Sequence, residues 1–334
     1  MTPTLDYSVL HVDAEQEVSR ITASLAKTVL RRLNRRGAVV GISGGIDSAV
    51  VTALCARALG PERVLGLLMP ERHSSEDTLR LSQSVASSQG VPTVLEEITD
   101  LLEASRCYER QDEAVRMAVP EYGPDYRFKI ALPSLTEQDA YRVFSVIVLR
   151  PDGSEIHRRL PLQAYLSVVA ATNFKQRTRK MLEYYHADRL NYAVAGTPNR
   201  LEYDQGFFVK GGDGLADFKP IAHLYKTQVY ELAAFLGIPA EVRCRPPTTD
   251  TYSMPQGQDE FYFSLPYRKM DLCLYAKNHG YPPEAIADAL ELKPEQVERV
   301  YRDIDGKRRT THYGHMRPVL VEPVAEIDAL RAPS

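Results

Sequence analysis

Ala38-Val39-Val40-Gly41-Ile42-Ser43-Gly44-Gly45-Ile46-Asp47-Ser48 is a short apolar run that ends in a glycine turn, and Ala49 to Leu59 follows as helix-forming sequence. Strand, tight loop and helix in this order open a βαβ unit. The order recurs in the apolar run Val64 to Met69, the helical stretch Ser75 to Gln89 and a third apolar segment near Val91. Upstream, Val18, Ile21, Leu25, Val29, Leu30 and Leu33 fall at helical spacing, which predicts an amphipathic helix over Glu15 to Leu33. Downstream, a long helix over about Leu162 to Ala187 leads to a strand at Asn191 to Ala195. A further helix over Leu224 to Leu236 is ended by Gly237 and Pro239. Alternating units of this kind predict an α/β fold with a doubly wound parallel sheet.

Between the two halves lies a different piece. Tyr141 to Leu149 and Glu155 to Leu160 are rich in β-branched and apolar residues and flank Arg150-Pro151-Asp152-Gly153-Ser154. Proline presets one torsion of that turn and glycine accepts a positive one, so the stretch predicts a β-hairpin inserted into the α/β fold. The last third, through Pro282 to Arg302, reads as mainly helical and runs into the polar, basic stretch Lys307 to Arg317. The expected organisation is an α/β domain over residues 1–260 with an insertion at about 105–165, and a helical C-terminal part over 261–334 packed on the same domain.

The 334 residues are 44% apolar and 25% charged, enough to bury a large core. A net charge of −3 gives no general field for nucleic acid. The basic run Arg31, Arg32, Arg35 and Arg36 reads as the solvated end of a helix. Cys55, Cys107, Cys244 and Cys273 stand far apart without a CxxC pair, which suggests neither a zinc site nor a disulfide framework. No stretch approaches a membrane span and no basic-then-apolar leader opens the chain, so the cytoplasm is the expected location.

A glycine turn between a strand and a helix gathers unpaired N–H groups at the positive end of a helix dipole, which makes an anion site. Gly44 and Gly45 let a phosphate approach the backbone, and Ser43 and Ser48 add hydroxyl donors. Asp47 would repel polyphosphate unless a cation lay between them, a need that Mg²⁺ meets. The loop lacks the GK[ST] ending of the common NTPase P-loop, which argues against kinase or GTPase chemistry.

Ser43-Gly-Gly-Ile-Asp-Ser48 resembles the pyrophosphate loop of the N-type ATP pyrophosphatases, which cleave ATP between its α and β phosphates. A second cluster narrows the resemblance. Gly196-Thr-Pro-Asn-Arg-Leu-Glu202, then Gly206 to Asp217 with Lys210-Gly-Gly-Asp-Gly-Leu-Ala-Asp217, then Pro220 and Leu224-Tyr-Lys-Thr-Gln228 are similar to the ammonia-dependent NAD synthetase family. The resemblance covers roughly Glu15 to Leu102 and Asn173 to Glu260. It implies the family's Rossmann-like, adenine nucleotide alpha hydrolase-like fold and an amide ligase that uses ATP as co-substrate with Mg²⁺. The ligase would adenylate the carboxylate of nicotinate adenine dinucleotide and amidate it with ammonia.

Carried over residue by residue, Asp47 and Glu202 would hold Mg²⁺. Ser43, Gly44, Gly45, Ile46, Asp47, Ser48, Thr197, Lys226 and Thr248 would bind ATP. Asp47 and Lys226 would be catalytic, and a lysine at a helix start also makes independent sense as a counter-charge for departing pyrophosphate. Arg177, Lys210, Asp217 and His315 would face the acceptor. Pro246-Pro-Thr-Thr-Asp250 and Gln258-Asp-Glu260 resemble the family's second phosphate loop. The resemblance also implies a homodimer, with ammonia arriving free or from a separate glutaminase.

The chain departs from the pattern in three places. Phe261-Tyr-Phe-Ser-Leu-Pro-Tyr267 follows the acidic pair where the family has a Leu-Gly and a helix. Met316 stands where the family has lysine, in His315-Met-Arg-Pro318, and the hairpin is an addition. These leave two alternatives beside NAD synthesis: an amide ligase for another carboxylate, and a nucleotide-binding protein without turnover.

Overall fold

The computed structural model describes residues 5–132, 144–246, 252–257, 262–263 and 265–329. From the N-terminus, α1 (Ala14–Lys27) leads through a π-helical turn to β1 (Ala38–Gly41), α2 (Ile46–Leu59), β2 (Val64–Leu68), α3 (Glu76–Ser88) and β3 (Thr93–Leu95). Two short helices, α4 (Thr99–Ala104) and α5 (Cys107–Arg116), precede β4 (Arg127–Ala131), β5 (Ser145–Leu149), β6 (Glu155–Arg159) and the 29-residue α6 (Leu162–Leu190). Then come β7 (Ala193–Val194), α7 (Arg200–Gln205), α8 (Lys226–Phe235) and α9 (Ala240–Arg243). The chain closes with α10 (Tyr267–Asn278), α11 (Ala287–Leu290), α12 (Pro294–His315) and α13 (Ala325–Ala329).

The main sheet is parallel throughout, in the order β3-β2-β1-β7. Both of its faces are covered, as parallel sheets require. Successive strand residues point to opposite faces. Thus Ala38, Val40 and Ile42 join Val50, Leu54 and Val229 from α2 and α8 in one core, with Val18 and Leu25 of α1 behind them. Val39, Leu65, Leu67 and Val194 pack on the other face against Ile98, Leu102, Cys107 and Ala187. The doubly wound α/β expectation is therefore met.

Expected and observed elements differ where a neighbour decides the outcome. The first helix is α-helical only to Lys27 and continues as a π turn over Thr28–Arg32. Helix α2 begins at Ile46, inside the glycine loop, so Asp47 and Ser48 sit in its first turn. The hairpin pairs from Ser145 opposite Arg159 through Leu149 opposite Glu155, and the expected start of its first strand, Tyr141 to Val143, lies outside the described residues. It has a third strand, β4, paired antiparallel to β5 from Arg127 opposite Leu149 to Ala131 opposite Ser145. The basic stretch at Lys307 continues α12 to His315. Helices α10 and α12 build a separate core with Leu10, Leu201 and Phe263. Cys55, Cys107 and Cys273 are buried and Cys244 is exposed, all four as free thiols. Among the described residues no helix is long and apolar enough to cross a membrane.

Leu54 is fully buried in the core between α2 and β1. Leu54→Ala should cost about 2–5 kcal/mol through lost burial and the cavity it leaves. Urea unfolding checks this, and a loss under about 1 kcal/mol would contradict the packing described.

Candidate active site

Strands β2 and β7 flank β1 on opposite sides, so the winding reverses at β1. In open α/β sheets ligands bind outside the carboxyl ends of the strands at such a switch point. Here the segment after β1 is Ser43 to Ser48, running into α2, and the segment after β7 carries Thr197, the cap Asn199 and, in the first turn of α7, Glu202. Both line a cavity of about 450 Å³ together with Lys226 from the start of α8.

The loop after β1 is held by its own serines. Ser43 N–H donates to Ser48 Oγ at 3.2 Å, and Ser48 Oγ donates to the Gly45 carbonyl at 2.9 Å. Gly44 has φ +74°, and a Cβ there would lie 3.0 Å from Leu81 Cβ and from the Thr78 carbonyl. Left-handed backbone and close approach to α3 together demand glycine. Gly45 caps α2 without a side-chain bond, so the N–H groups of its first turn remain available to an anion.

Asp47, Glu202 and Lys226 converge on this loop. Lys226 Nζ pairs closely with Asp47 Oδ2, and the lysine side chain is 1% exposed. Burial opposes its charge, but the Asp47 and Glu202 carboxylates outweigh burial and raise its pKa, so it is an ammonium. Asn199 caps α7 through a reciprocal box. Its Oδ1 accepts the Glu202 N–H at 3.2 Å, and its own N–H donates to Glu202 Oε2 at 3.1 Å. Its amide Nδ2 donates to Asp47 Oδ1 at 3.2 Å, so one buried asparagine bridges both carboxylates. Burial first, then the Asp47 charge, pushes the Glu202 carboxyl up to about 8, against the pull of Lys226 and the Asn199 N–H. With the Glu202 carboxyl pushed up to about 8, Lys226 balances Asp47 alone at neutral pH, and a cation beside both groups would draw off the Glu202 proton. The oxygens of Asp47 and Glu202 are the donor type a hard divalent cation takes, with phosphate oxygens completing its shell.

Helix α6 supplies one long wall. Tyr165, Val169, Thr172, Gln176, Lys180 and Glu183 recur at helical spacing along the cavity. Lys180 pairs with Glu183 at 2.5 Å, and Lys175 pairs with Glu71 at 2.8 Å, all four side chains nearly or fully buried. Glu183 Oε1 would lie 2.9 Å from a Cβ on Gly41, so the last residue of β1 leaves room for this carboxylate.

Of the residues expected in the site, Ser43 to Ser48, Thr197, Glu202 and Lys226 are brought together. Arg177, Lys210, Asp217 and His315 are exposed and lie outside the cavity lining. Arg177 Nε donates to the Lys210 carbonyl at 3.3 Å, and Lys210 Nζ to the Tyr313 carbonyl at 2.9 Å. Asp217 ties down β7, accepting from Val194 N–H at 2.7 Å and from Tyr184 Oη at 3.2 Å. The His315 ring stands edge-on to Tyr203 and to Phe208, each at 4.9 Å, and Phe208 lines the cavity. Thr248 and the acidic run Gln258 to Glu260 lie outside the described residues.

A family model described as NAD synthase matches residues 17–131 and 154–312. The chain belongs to the NAD synthase family. An NH(3)-dependent NAD(+) synthetase of Mesorhizobium japonicum is 56% identical over 318 residues, covering 95% of this chain and 100% of that one. One from Thermotoga maritima is 35% identical over 283 residues, covering 84% and 92%. The structure of NH3-dependent NAD synthetase from Campylobacter jejuni, in complex with the nitrate ion, shares the fold with a TM-score of 0.61 at 22% identity, covering 93% and 100%. The NMN synthetase from Francisella tularensis shares it too, at 0.64 and 19%, covering 94% and 100%.

In this NAD synthase family member two supporting residues escaped the sequence reading. Asn199 stands inside the quoted motif, where the spacing Asn199 to Glu202 is a capping signature. Asp271 belongs to α10, far along the chain. It accepts the N–H groups of Lys226 at 3.2 Å and Thr227 at 2.8 Å, and so caps α8 from outside and fixes where Lys226 starts. Burial pushes the Asp271 carboxyl up to about 6 against these hydrogen bonds. Its folded pKa lies above the ordinary 3.8, so this contribution to stability is whole below about pH 4 and lost as pH rises through about 6. Asp271→Asn removes the ionisation. Between pH 4 and pH 7 its unfolding free energy should gain on wild type by about 2 kcal/mol. Urea titrations at the two pH values test this, and a difference that does not move with pH contradicts it.

Proposed function

We propose that the protein is an amide ligase that converts nicotinate adenine dinucleotide, ATP and ammonia into NAD⁺, AMP and pyrophosphate. The observation that carries the reading is the set of Asp47, Glu202 and the buried Lys226 around a phosphate-sized loop in a member of this family. The substrate carboxylate attacks the α-phosphorus of ATP, giving an acyl-adenylate and pyrophosphate. Ammonia then attacks the acyl carbon and AMP leaves with the former carboxylate oxygen.

Each group has a task in that sequence. N–H groups of the loop and the first turn of α2, with Ser43 and Ser48, hold the phosphates, and Thr197 adds a hydroxyl at the cavity wall. Lys226 neutralises charge as pyrophosphate departs, and its burial strengthens that effect because little water competes. Asp47 and Glu202 would hold Mg²⁺, which supplies Lewis-acid polarisation of the phosphate oxygens. Asn199 keeps both carboxylates pointed at one place.

Acceptor recognition falls to the exposed residues Arg177, Lys210, Asp217 and His315. Arg177 shares one stripe of α6 with the exposed Leu162, Leu166, Met181 and Tyr185. An apolar stripe of this kind suits a second copy of the chain, so the reading includes a homodimer. A monomer mass in sedimentation equilibrium would remove that part. Free ammonia is the nitrogen source, or ammonia from a separate glutaminase, and the cytoplasm is the setting.

Incubation with ATP, ammonia and nicotinate adenine dinucleotide should yield AMP and NAD⁺ in equal amounts. Asp47→Asn, Glu202→Gln and Lys226→Met should each lower kcat on the order of 100-fold or more while the fold persists by circular dichroism. ADP as the main nucleotide product, or near-normal turnover in the Glu202 variant at low Mg²⁺, contradicts the reading.

A further inference from the structure

The cavity changes character at the end of α6 away from the phosphate loop. Phe144, the residue before β5, stacks on Tyr165, in the first turns of α6, with ring centroids 4.0 Å apart and planes within 16°. Both rings line the cavity and both are only half-buried. An aromatic pair that served only as core would be enclosed, as Phe128 beside it is. Tyr252 also lines the cavity, and its ring leans on Phe128 at 5.3 Å.

Inserted strands hold this arrangement in place. Leu160 N–H donates to the Phe144 carbonyl at 2.8 Å, which extends the ladder of β5 and β6 past Ser145. The chain after Tyr252 runs beside β4, the free edge of the inserted sheet. Phe128 N–H donates to Ser253 Oγ at 2.9 Å, Met254 N–H to the Phe128 carbonyl at 3.1 Å, and Gln256 Nε2 to the Ile130 carbonyl at 2.6 Å. Phe144 falls in the stretch 132–153 that the NAD synthase family model does not match. The insertion thus brings one ring, Phe144, to the cavity, where it meets Tyr165 of α6.

We propose that the inserted sheet builds a ring-stacking subsite of the nucleotide cavity, with Phe144 and Tyr165 as its platform and Tyr252 as its side wall. Its ligand is a flat nitrogen heterocycle carried by one of the two nucleotide substrates. Stacking on an aromatic face suits any such ring. Thr172, Asn173 and Gln176, farther along the same wall of α6, offer hydroxyl and amide groups to a ring edge. The identity of the two nucleotide substrates rests on the amide-ligase reading. The platform itself rests on the rings.

Phe144→Leu keeps apolar bulk and removes the ring, whereas Phe144→Tyr keeps the ring. Calorimetric Kd values for α,β-methylene-ATP and for nicotinate adenine dinucleotide, with the KM of each substrate varied separately, give the readout. Phe144→Leu should weaken one nucleotide about 10-fold, the other far less, and Phe144→Tyr should restore it. Weakening of ATP alone assigns the adenine of ATP, and weakening of the dinucleotide alone assigns a ring of the acceptor. An unchanged or equal effect on both overturns the platform.

Val148→Ala, in the core of the same sheet, should lower Tm without favouring either nucleotide. If it reproduces the selective loss, the effect belongs to sheet stability and the platform is overturned. Failure of the wild type to form NAD⁺ defeats the amide-ligase reading, and the binding measurements still decide the platform.

Discussion

At the switch point of the parallel sheet two carboxylates, Asp47 and Glu202, crowd one buried ammonium, Lys226, and much of the molecule serves to hold them there. Removing charges from water is costly, so such a group persists only where hydrogen bonds and counter-charges are closely matched. Asp47 comes from the first turn of α2, Glu202 from the first turn of α7, and Lys226 begins α8. Three helix starts therefore meet at one place, and their dipoles all favour an anion there. The oxygens of Asp47 and Glu202 offer the same place to a divalent cation, which would draw off the raised Glu202 proton.

Around that centre the supporting groups act at one remove. Asn199 spans the two carboxylates, and Asp271 reaches from α10 to fix the start of α8. The C-terminal helices thereby take part in the site without lining the cavity. Helix α6 carries the buried pairs Lys180 with Glu183 and Lys175 with Glu71 into the opposite wall. Breaking such a pair by removing one partner leaves an uncompensated charge, so each pair holds the wall to one geometry.

The parallel sheet and its helices were legible because their signals are local: the apolar runs at Ala38 and Val64, the glycine turn, and helical periodicity. The anion loop was legible for the same reason, as were Glu202 and Lys226 within quoted motifs. Strand β4 was not, because Arg127–Ala131 is a strand only through pairing with β5 and through the chain after Tyr252 on its other edge. The reach of Asp271 across 45 residues to Lys226 has no local trace. The start of α2 at Ile46 carries no local signal, because its cap, Gly45, has no side chain to mark it. Arg177, Lys210, Asp217 and His315 came from resemblance alone, and all four are exposed and lie outside the cavity lining.

The central claim is that a substrate carboxylate is adenylated before ammonia arrives. Nicotinate adenine dinucleotide labelled with ¹⁸O in its carboxylate tests this most directly, with AMP and pyrophosphate analysed by mass spectrometry after turnover. The account predicts one ¹⁸O in each AMP and none in pyrophosphate, because the bridging oxygen leaves with the adenylate. AMP without label, or label in pyrophosphate, would contradict it.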